Sequence, residues 1–142
     1  MNSECVFCKI VEGALPCAKV YEDEDILAFM DIGPIIKGHT LVIPKQHVDP
    51  ITEVPDELLG RLILMVRKIA GAQLKGLEAD GINVTQANGT VAGQVVPHLH
   101  FHVIPRFTND QHSWNWKAGS YETAEEMNSV AAAIRSGLPM EI

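Results

Sequence analysis

Three histidines alternate with apolar residues in Pro97-His98-Leu99-His100-Phe101-His102-Val103-Ile104-Pro105-Arg106. Successive side chains of a strand point to opposite faces. The spacing therefore predicts a strand over 95–104 with His98, His100 and His102 on one face. Leu99, Phe101 and Val103 then point into a core. Imidazoles in a row are costly to bury without partners, so they either line a site or sit in solvent. Three readings are open: a surface strand, a catalytic metal held by three His with one open position, or a nucleophilic imidazole with its supporting shell. In the last case a neutral His takes a phosphoryl or nucleotidyl group and passes it to water. A backbone carbonyl that accepts the Nδ1 proton would fix the tautomer and leave Nε2 free to attack.

A second constellation is Cys5-Val6-Phe7-Cys8. The two Cys lie too close in sequence to staple a fold, and the chain has three Cys in all, an odd count. Such a pair reads as metal-binding or redox-active in a reducing compartment, or as two small core residues. Two His would complete a closed tetrahedral Cys2His2 set, the pattern of structural zinc. Cys17 has no nearby partner and reads as a small, partly buried apolar residue. His112 belongs to no motif and reads as an exposed loop residue.

The elements that must position these residues are legible from patterning. Residues 4–12 read as a short helix beginning near Ser3 and ended by Gly13 and Pro16. Val20-Tyr21 and Ile26–Met30 read as a hairpin around the acidic, solvated turn Glu22–Asp25. Gly33-Pro34 and Lys37-Gly38 mark a loop, and His39–Pro44 a buried strand. Residues 55–77 form the clearest helix. Pro55 suits its first turn, Asp56 and Glu57 suit its positive end, and Leu58, Leu59, Leu62, Met65, Val66, Ile69 and Leu74 make one apolar face. Gly81–Ala87 is a further strand before the turn Asn88-Gly89. Thr123 and Glu126 form a capping box that opens a last helix to about Ser136. The order suggests an α+β fold, an antiparallel sheet carrying a long helix on one face.

At 142 residues the chain suits one domain, with a core over about 4–106 and a helical tail over about 122–138. Its apolar share of 46% and charged share of 20% are those of a folded globular protein. A net charge of −7 argues against a nucleic-acid polymer as partner. It leaves room for a single nucleotide, whose phosphate can be held by backbone N–H groups and neutral imidazoles. No apolar run approaches the roughly 18 residues that span a bilayer, and Met1–Glu4 lacks a basic n-region. A cytoplasmic location away from membranes is the expectation.

The run His98-Leu99-His100-Phe101-His102-Val103-Ile104 resembles the His-x-His-x-His-x-x signature of the histidine triad (HIT) family. Gly93-Gln94, Gly38-His39-Thr40-Leu41-Val42-Ile43-Pro44-Lys45 and Phe29-Met30-Asp31-Ile32-Gly33-Pro34 stand in the same order and spacing as in that family. The resemblance covers about residues 4–106 and is greatest to Hint-like and short bacterial members. It implies a two-fold dimer built on the long helix and the strand near 81–87. It also implies hydrolysis or transfer at the α-phosphate of purine nucleoside phosphoramidates or dinucleoside polyphosphates, through a nucleotidyl-His100 intermediate. His102 would contact the phosphate and His39 would buttress it. Asn88 and Gln94 match polar groups near the phosphate and leaving group. Asp31 would accept from the ribose hydroxyls, and Val6, Phe7, Ile10, Ile32 and Leu41 would line a slot for the purine. The resemblance further implies Cys5, Cys8, His47 and His98 as ligands of a structural zinc, with no metal required for the chemistry.

Val95 departs from the pattern, standing where many Hint-like members carry Ser. Trp114 and Trp116 would shape the leaving-group side or pack at a dimer interface. Two other classes remain open: a nucleotide-binding scaffold with incidental catalysis, and a cupin-like metal oxygenase built on His98, His100 and a remote His. The strong helix at 55–77 argues against an all-β cupin.

Overall fold

The computed structural model describes residues 2–140. Two compact units divide the chain after His112. The first holds the five-stranded sheet. Helix α1 (Val6–Val11) precedes β1 (Lys19–Glu22), β2 (Ile26–Met30) and β3 (Thr40–Pro44). The long helix α2 (Asp56–Gly76) then leads to β4 (Gly81–Thr85) and β5 (Phe101–Arg106). The strands are ordered β1-β2-β3-β5-β4, with antiparallel neighbours throughout. This is the α+β architecture expected from the patterning.

The sheet buries both faces, and the two-residue period of its central strands shows how. Ile26 and Ala28 of β2 and Val42 of β3 pack with Leu62, Met65, Val66 and Ile69 of α2. Their neighbours Leu27, Phe29, Leu41 and Ile43 pack on the other face with Phe7, Cys5 and Cys8 of the α1 region. Each fully buried aliphatic side chain of the α2 interface contributes about 1.5–3 kcal/mol. Gly38 leads into β3 at φ +107, and a Cβ there would lie 2.6 Å from Leu77 Cδ1 and 2.8 Å from Pro105 Cγ. Both the backbone angle and the close approach require glycine.

Five local expectations change. Strand β5 begins at Phe101, not at residue 95, because pairing with β3 starts at Val42↔Phe101. Ahead of it Leu99 N–H reaches the Val48 carbonyl outside any strand. Leu99, Phe101 and Val103 nevertheless enter the α2-side core as expected. The N-cap of α1 is Cys5, whose Sγ accepts from Cys8 N–H, and not Ser3. On α2 the buried stripe runs through Gln73, while Leu74 is exposed. Strand β4 stops at Thr85, two residues short of Ala87. The acidic turn is also more than solvated: Asp23 Oδ1 accepts from the N–H groups of Asp25 and Ile26, and Arg61 pairs with Asp23 and Asp25.

The second unit holds α3 (Ala124–Ser136). Thr123 caps it by accepting from Glu126 N–H, and Glu126 in turn accepts from Glu122 N–H. The Trp114 and Trp116 rings meet at a tilt of 50° with centroids 5.8 Å apart.

Candidate active site

Antiparallel register decides which residues meet. His102 of β5 pairs across to Leu41 of β3 and so lies on the α1 face of the sheet. There an open pocket of about 800 Å³ forms between α1, the β2–β3 face and the loop before β5. That volume suits a small molecule. His100 and His102 lie in its wall, their ring centroids 4.9 Å apart. The wall beside them is apolar, with Val6, Phe7, Ile10, Phe29, Ile32 and Leu41, and Asp31 stands among these groups. Cys17, partly packed against the α1-side core, lines the same pocket.

Backbone groups fix the tautomers. The His98 carbonyl lies 2.7 Å from His100 Nδ1 and can only accept, so the His100 proton sits on Nδ1. The lone pair is left on Nε2. Ile35 N–H can only donate, and it donates to His39 Nδ1 at 3.1 Å. The neutral His39 proton therefore sits on Nε2 and is donated to His102 Nδ1 at 2.9 Å. His102 in turn carries its own proton on Nε2. One residue thus offers an imidazole lone pair and its neighbour an N–H donor.

Burial keeps the His39 and His102 rings neutral. It pushes His102 down to about 4, with His100 and His39 adding to the drop and Asp31 opposing it. It also lowers His39, although Asp31, 3.6 Å from its Nε2, works the other way. Asp31, His39 and His102 have the composition of a metal-binding trio. Their proton chain argues against that use: coordination by His39 Nε2 would leave its Nδ1 either protonated against Ile35 N–H or stripped to an imidazolate.

A second donor set lies behind His100. His98 Nδ1 is 3.4 Å from Cys5 Sγ, 3.7 Å from Cys8 Sγ and 3.2 Å from His47 Nδ1, and Cys8 Sγ is 3.4 Å from His47 Nδ1. A tetrahedral zinc with ordinary bond lengths puts nitrogens about 3.4 Å apart and sulfur and nitrogen about 3.6 Å apart. The four donors fit such an ion. His98 Nε2–H donates to the Pro44 carbonyl at 2.8 Å, which frees Nδ1 for a metal and holds the ring. Burial, aided by Cys5, raises the Cys8 thiol, and burial lowers His98. A divalent cation reverses the thiol's preference, since coordinated thiols lose their proton.

Most of the residues marked in the sequence meet here. Val6, Phe7, Ile10, Asp31, Ile32, Leu41, His100 and His102 all line the pocket. His39 lies buried behind His102. The row of three His divides, with His98 in the Cys cluster and the other two in the pocket wall. Asn88 and Gln94 are not among the lining residues and bond to neighbouring loops. Gln94 accepts from Gly89 N–H at 2.7 Å and donates to Asp49 and to the Val96 carbonyl. Asn88 accepts from Ile51 N–H at 2.8 Å and is bonded to Gln86. Sequence reasoning missed Leu15, Pro16, Ala18, Phe29, Met30, Gly93 and Val96 of the lining. Phe29, Met30 and Gly93 carried a signal, since they stand inside the blocks that resemble the HIT family. His112 is exposed, and its carbonyl accepts from Arg106.

The model of the HIT domain matches residues 12–109. The chain belongs to the HIT family. Among HIT relatives, an adenosine 5'-monophosphoramidase of Schizosaccharomyces pombe is 40% identical over 133 residues, covering 93% of this chain and 96% of that protein. The crystal structure of a HIT family member from Bacillus subtilis superposes with a TM-score of 0.90 at 42% identity, over 98% of this chain and 100% of that one. A Zn-bound histidine triad family protein from Mycobacterium smegmatis superposes with a TM-score of 0.73 at 38% identity, over 94% and 97% of the two chains. No helix among the described residues of this HIT protein is long and apolar enough to cross a membrane.

Proposed function

We propose that this HIT protein is a nucleotide hydrolase that cleaves at the α-phosphate of a purine nucleoside phosphoramidate through nucleotidyl-His100. The observation that carries the reading is the tautomer of His100, whose Nδ1–H is tied to the His98 carbonyl in a ring that lines the pocket. In the first step Nε2 forms a bond to phosphorus and the phosphorus–nitrogen bond breaks, the amine leaving with a proton from solvent that the water of the second step gives back. In the second, water forms a bond to phosphorus and the His100–phosphorus bond breaks, releasing the nucleoside monophosphate and returning the lone pair to Nε2. His102 Nε2–H donates to a phosphate oxygen as charge gathers there. Asp31 accepts from the ribose hydroxyls, and Val6, Phe7, Ile10, Ile32 and Leu41 hold the purine. Asn88 and Gln94 shape the loop at 88–96.

Charge favours a leaving group with no further phosphates. Among the described residues the pocket lining contains no Lys or Arg, and its ionisable groups are Cys17, Asp31, His100 and His102. A dinucleoside polyphosphate would bring several extra negative charges beside Asp31 with no cation to meet them. Turnover of a phosphoramidate well above that of a dinucleoside polyphosphate supports this reading. Tight nucleotide binding with no turnover of either would favour the scaffold. His100→Ala is expected to lower kcat by at least about a thousandfold and to leave nucleotide binding in place. Unchanged turnover in that variant defeats the mechanism.

The donor distances and the Zn-bound relative support a structural zinc held by Cys5, Cys8, His47 and His98. Zinc there would pin α1 against the segment that leads into β5 and carries His98 and His100, and the hydrolysis itself calls for no metal. Thiol ligands of this kind suit a reducing cytoplasm. The half-exposed Ile63, Leu64 and Leu74 of α2 and Val84 on the edge strand β4 support a homodimer through that face.

A further inference from the structure

His98 faces two ways. Its ring is held at both nitrogens, Nδ1 among Cys5, Cys8 and His47 and Nε2 on the Pro44 carbonyl. Its backbone carbonyl is the acceptor that sets the His100 tautomer. A single residue thus joins the Cys2His2 donor set to the nucleophile. We propose that this donor set orients the His100 ring, with His98 as the positioning residue through which it does so. The proposal rests on the hydrolase and zinc readings above.

A second link runs through Phe7. It stands between Cys5 and Cys8 on α1, and its ring meets His100 edge-on at 5.1 Å and His98 at 5.8 Å. Helix α1 has only six residues and is capped by the Cys5 sulfur itself. A helix that short has little stability of its own, so Phe7 is held by its packing on Phe29 and the sheet and by the seating of Cys5 and Cys8. Both flanks of His100, the carbonyl below and the aromatic edge beside it, therefore depend on the same four donors. In an unloaded set two Nδ1 atoms face each other at 3.2 Å beside two thiols, with protons to share among them. That cluster relaxes, and His98 and Phe7 move with it. Losing the support behind a reacting group costs about 10–100-fold in activity, and a misplacement of about 1 Å costs about a hundredfold.

The test uses the full chain in zinc-loaded, chelator-stripped and zinc-restored forms, with His47→Ala and His47→Cys beside it. His47 is outside the pocket lining, and the Cys variant keeps a metal ligand. The readouts are kcat and KM, the ring 15N shifts of His100, and the unfolding temperature. Stripping and His47→Ala are each expected to lower kcat about 10–100-fold while KM changes by less than about threefold. The His100 spectrum is expected to lose its single Nδ1–H tautomer. Restored zinc, and His47→Cys, are expected to recover both. A stripped protein that melts earlier but keeps its kcat and its His100 spectrum overturns the proposal, as does a protein that takes up no zinc. If the stripped form does not fold, cadmium replaces zinc with longer bonds to the same donors. Shifted His100 resonances then support the proposal and unshifted ones overturn it. Should the loaded protein turn over no nucleotide, the hydrolase reading fails, and the His100 spectrum alone decides the coupling.

Discussion

His39→Leu isolates the proton chain from everything else in the pocket. His39 lies outside the pocket lining and acts through His102, to which its Nε2–H donates at 2.9 Å. Leucine supports neither this bond nor the one from Ile35 N–H. A buried polar group stripped of its partner costs about 1–3 kcal/mol. Freed of its donor, neutral His102 can move its proton to Nδ1, so that a lone pair instead of an N–H meets the phosphate. Expressed fully in the transition state, that cost lowers kcat/KM about 5- to 150-fold. His39→Gln places an amide donor near the old Nε2 position and is expected to lose less than about fivefold. Initial rates on an adenosine phosphoramidate at neutral pH measure both variants, and His102 ring 15N shifts report the tautomer. Thermal unfolding gives the separate cost to the fold of the orphaned Ile35 N–H. A Leu variant within twofold of the parent, or a Gln variant as damaged as Leu, would refute the reasoning.

Two further outcomes follow from the same geometry. His39 and His102 titrate below their unfolded value of about 6.5, so the folded state binds fewer protons than the unfolded one under mild acid. Their contribution to stability is complete above about pH 6.5 and is lost as pH falls toward 4, the His102 value. Urea midpoints from pH 7.5 to 4.5 should decline less steeply in His39→Leu than in the parent, and parallel curves would contradict the assignment. The carboxylate Glu22, held at about 2 by Lys19 and Lys45, acts only at lower pH. Asp31→Asn keeps an acceptor for Gly33 N–H but removes the charge offered to the ribose. It is expected to raise KM about tenfold with kcat little changed; a fall confined to kcat would place Asp31 elsewhere in the mechanism.

Much of the site was legible because its residues announce themselves by type and spacing. Alternation assigned Leu99, Phe101 and Val103 to the core. The resemblance to the HIT family implied the pocket residues and the Cys2His2 donors as two groups. What escaped was set by partners distant in sequence. The alternating pattern begins at Pro97-His98, yet among the described residues no strand edge pairs with it ahead of Phe101, so β5 is shorter than its pattern. Gln73 is buried in an apolar stripe because its amide answers the Gly38 and Val103 carbonyls and the Thr40 hydroxyl. Helical spacing from Leu62 does reach position 73 instead of 74, but polarity hid it. Cys5 displaces Ser3 as the helix cap because its sulfur is already fixed beside His98. The bonds of Asn88 and Gln94 to Ile51 N–H and Asp49 join loops about 40 residues apart, which local patterning does not report.

The central claim is a covalent bond between His100 Nε2 and the α-phosphorus. Mass spectrometry of the protein mixed with an adenosine phosphoramidate and quenched within a single turnover tests it directly. The expected result is a mass gain of one nucleotidyl group on the peptide carrying His100, absent from His100→Ala. Turnover with no adduct at any quench time, or an adduct that persists in His100→Ala, would contradict it.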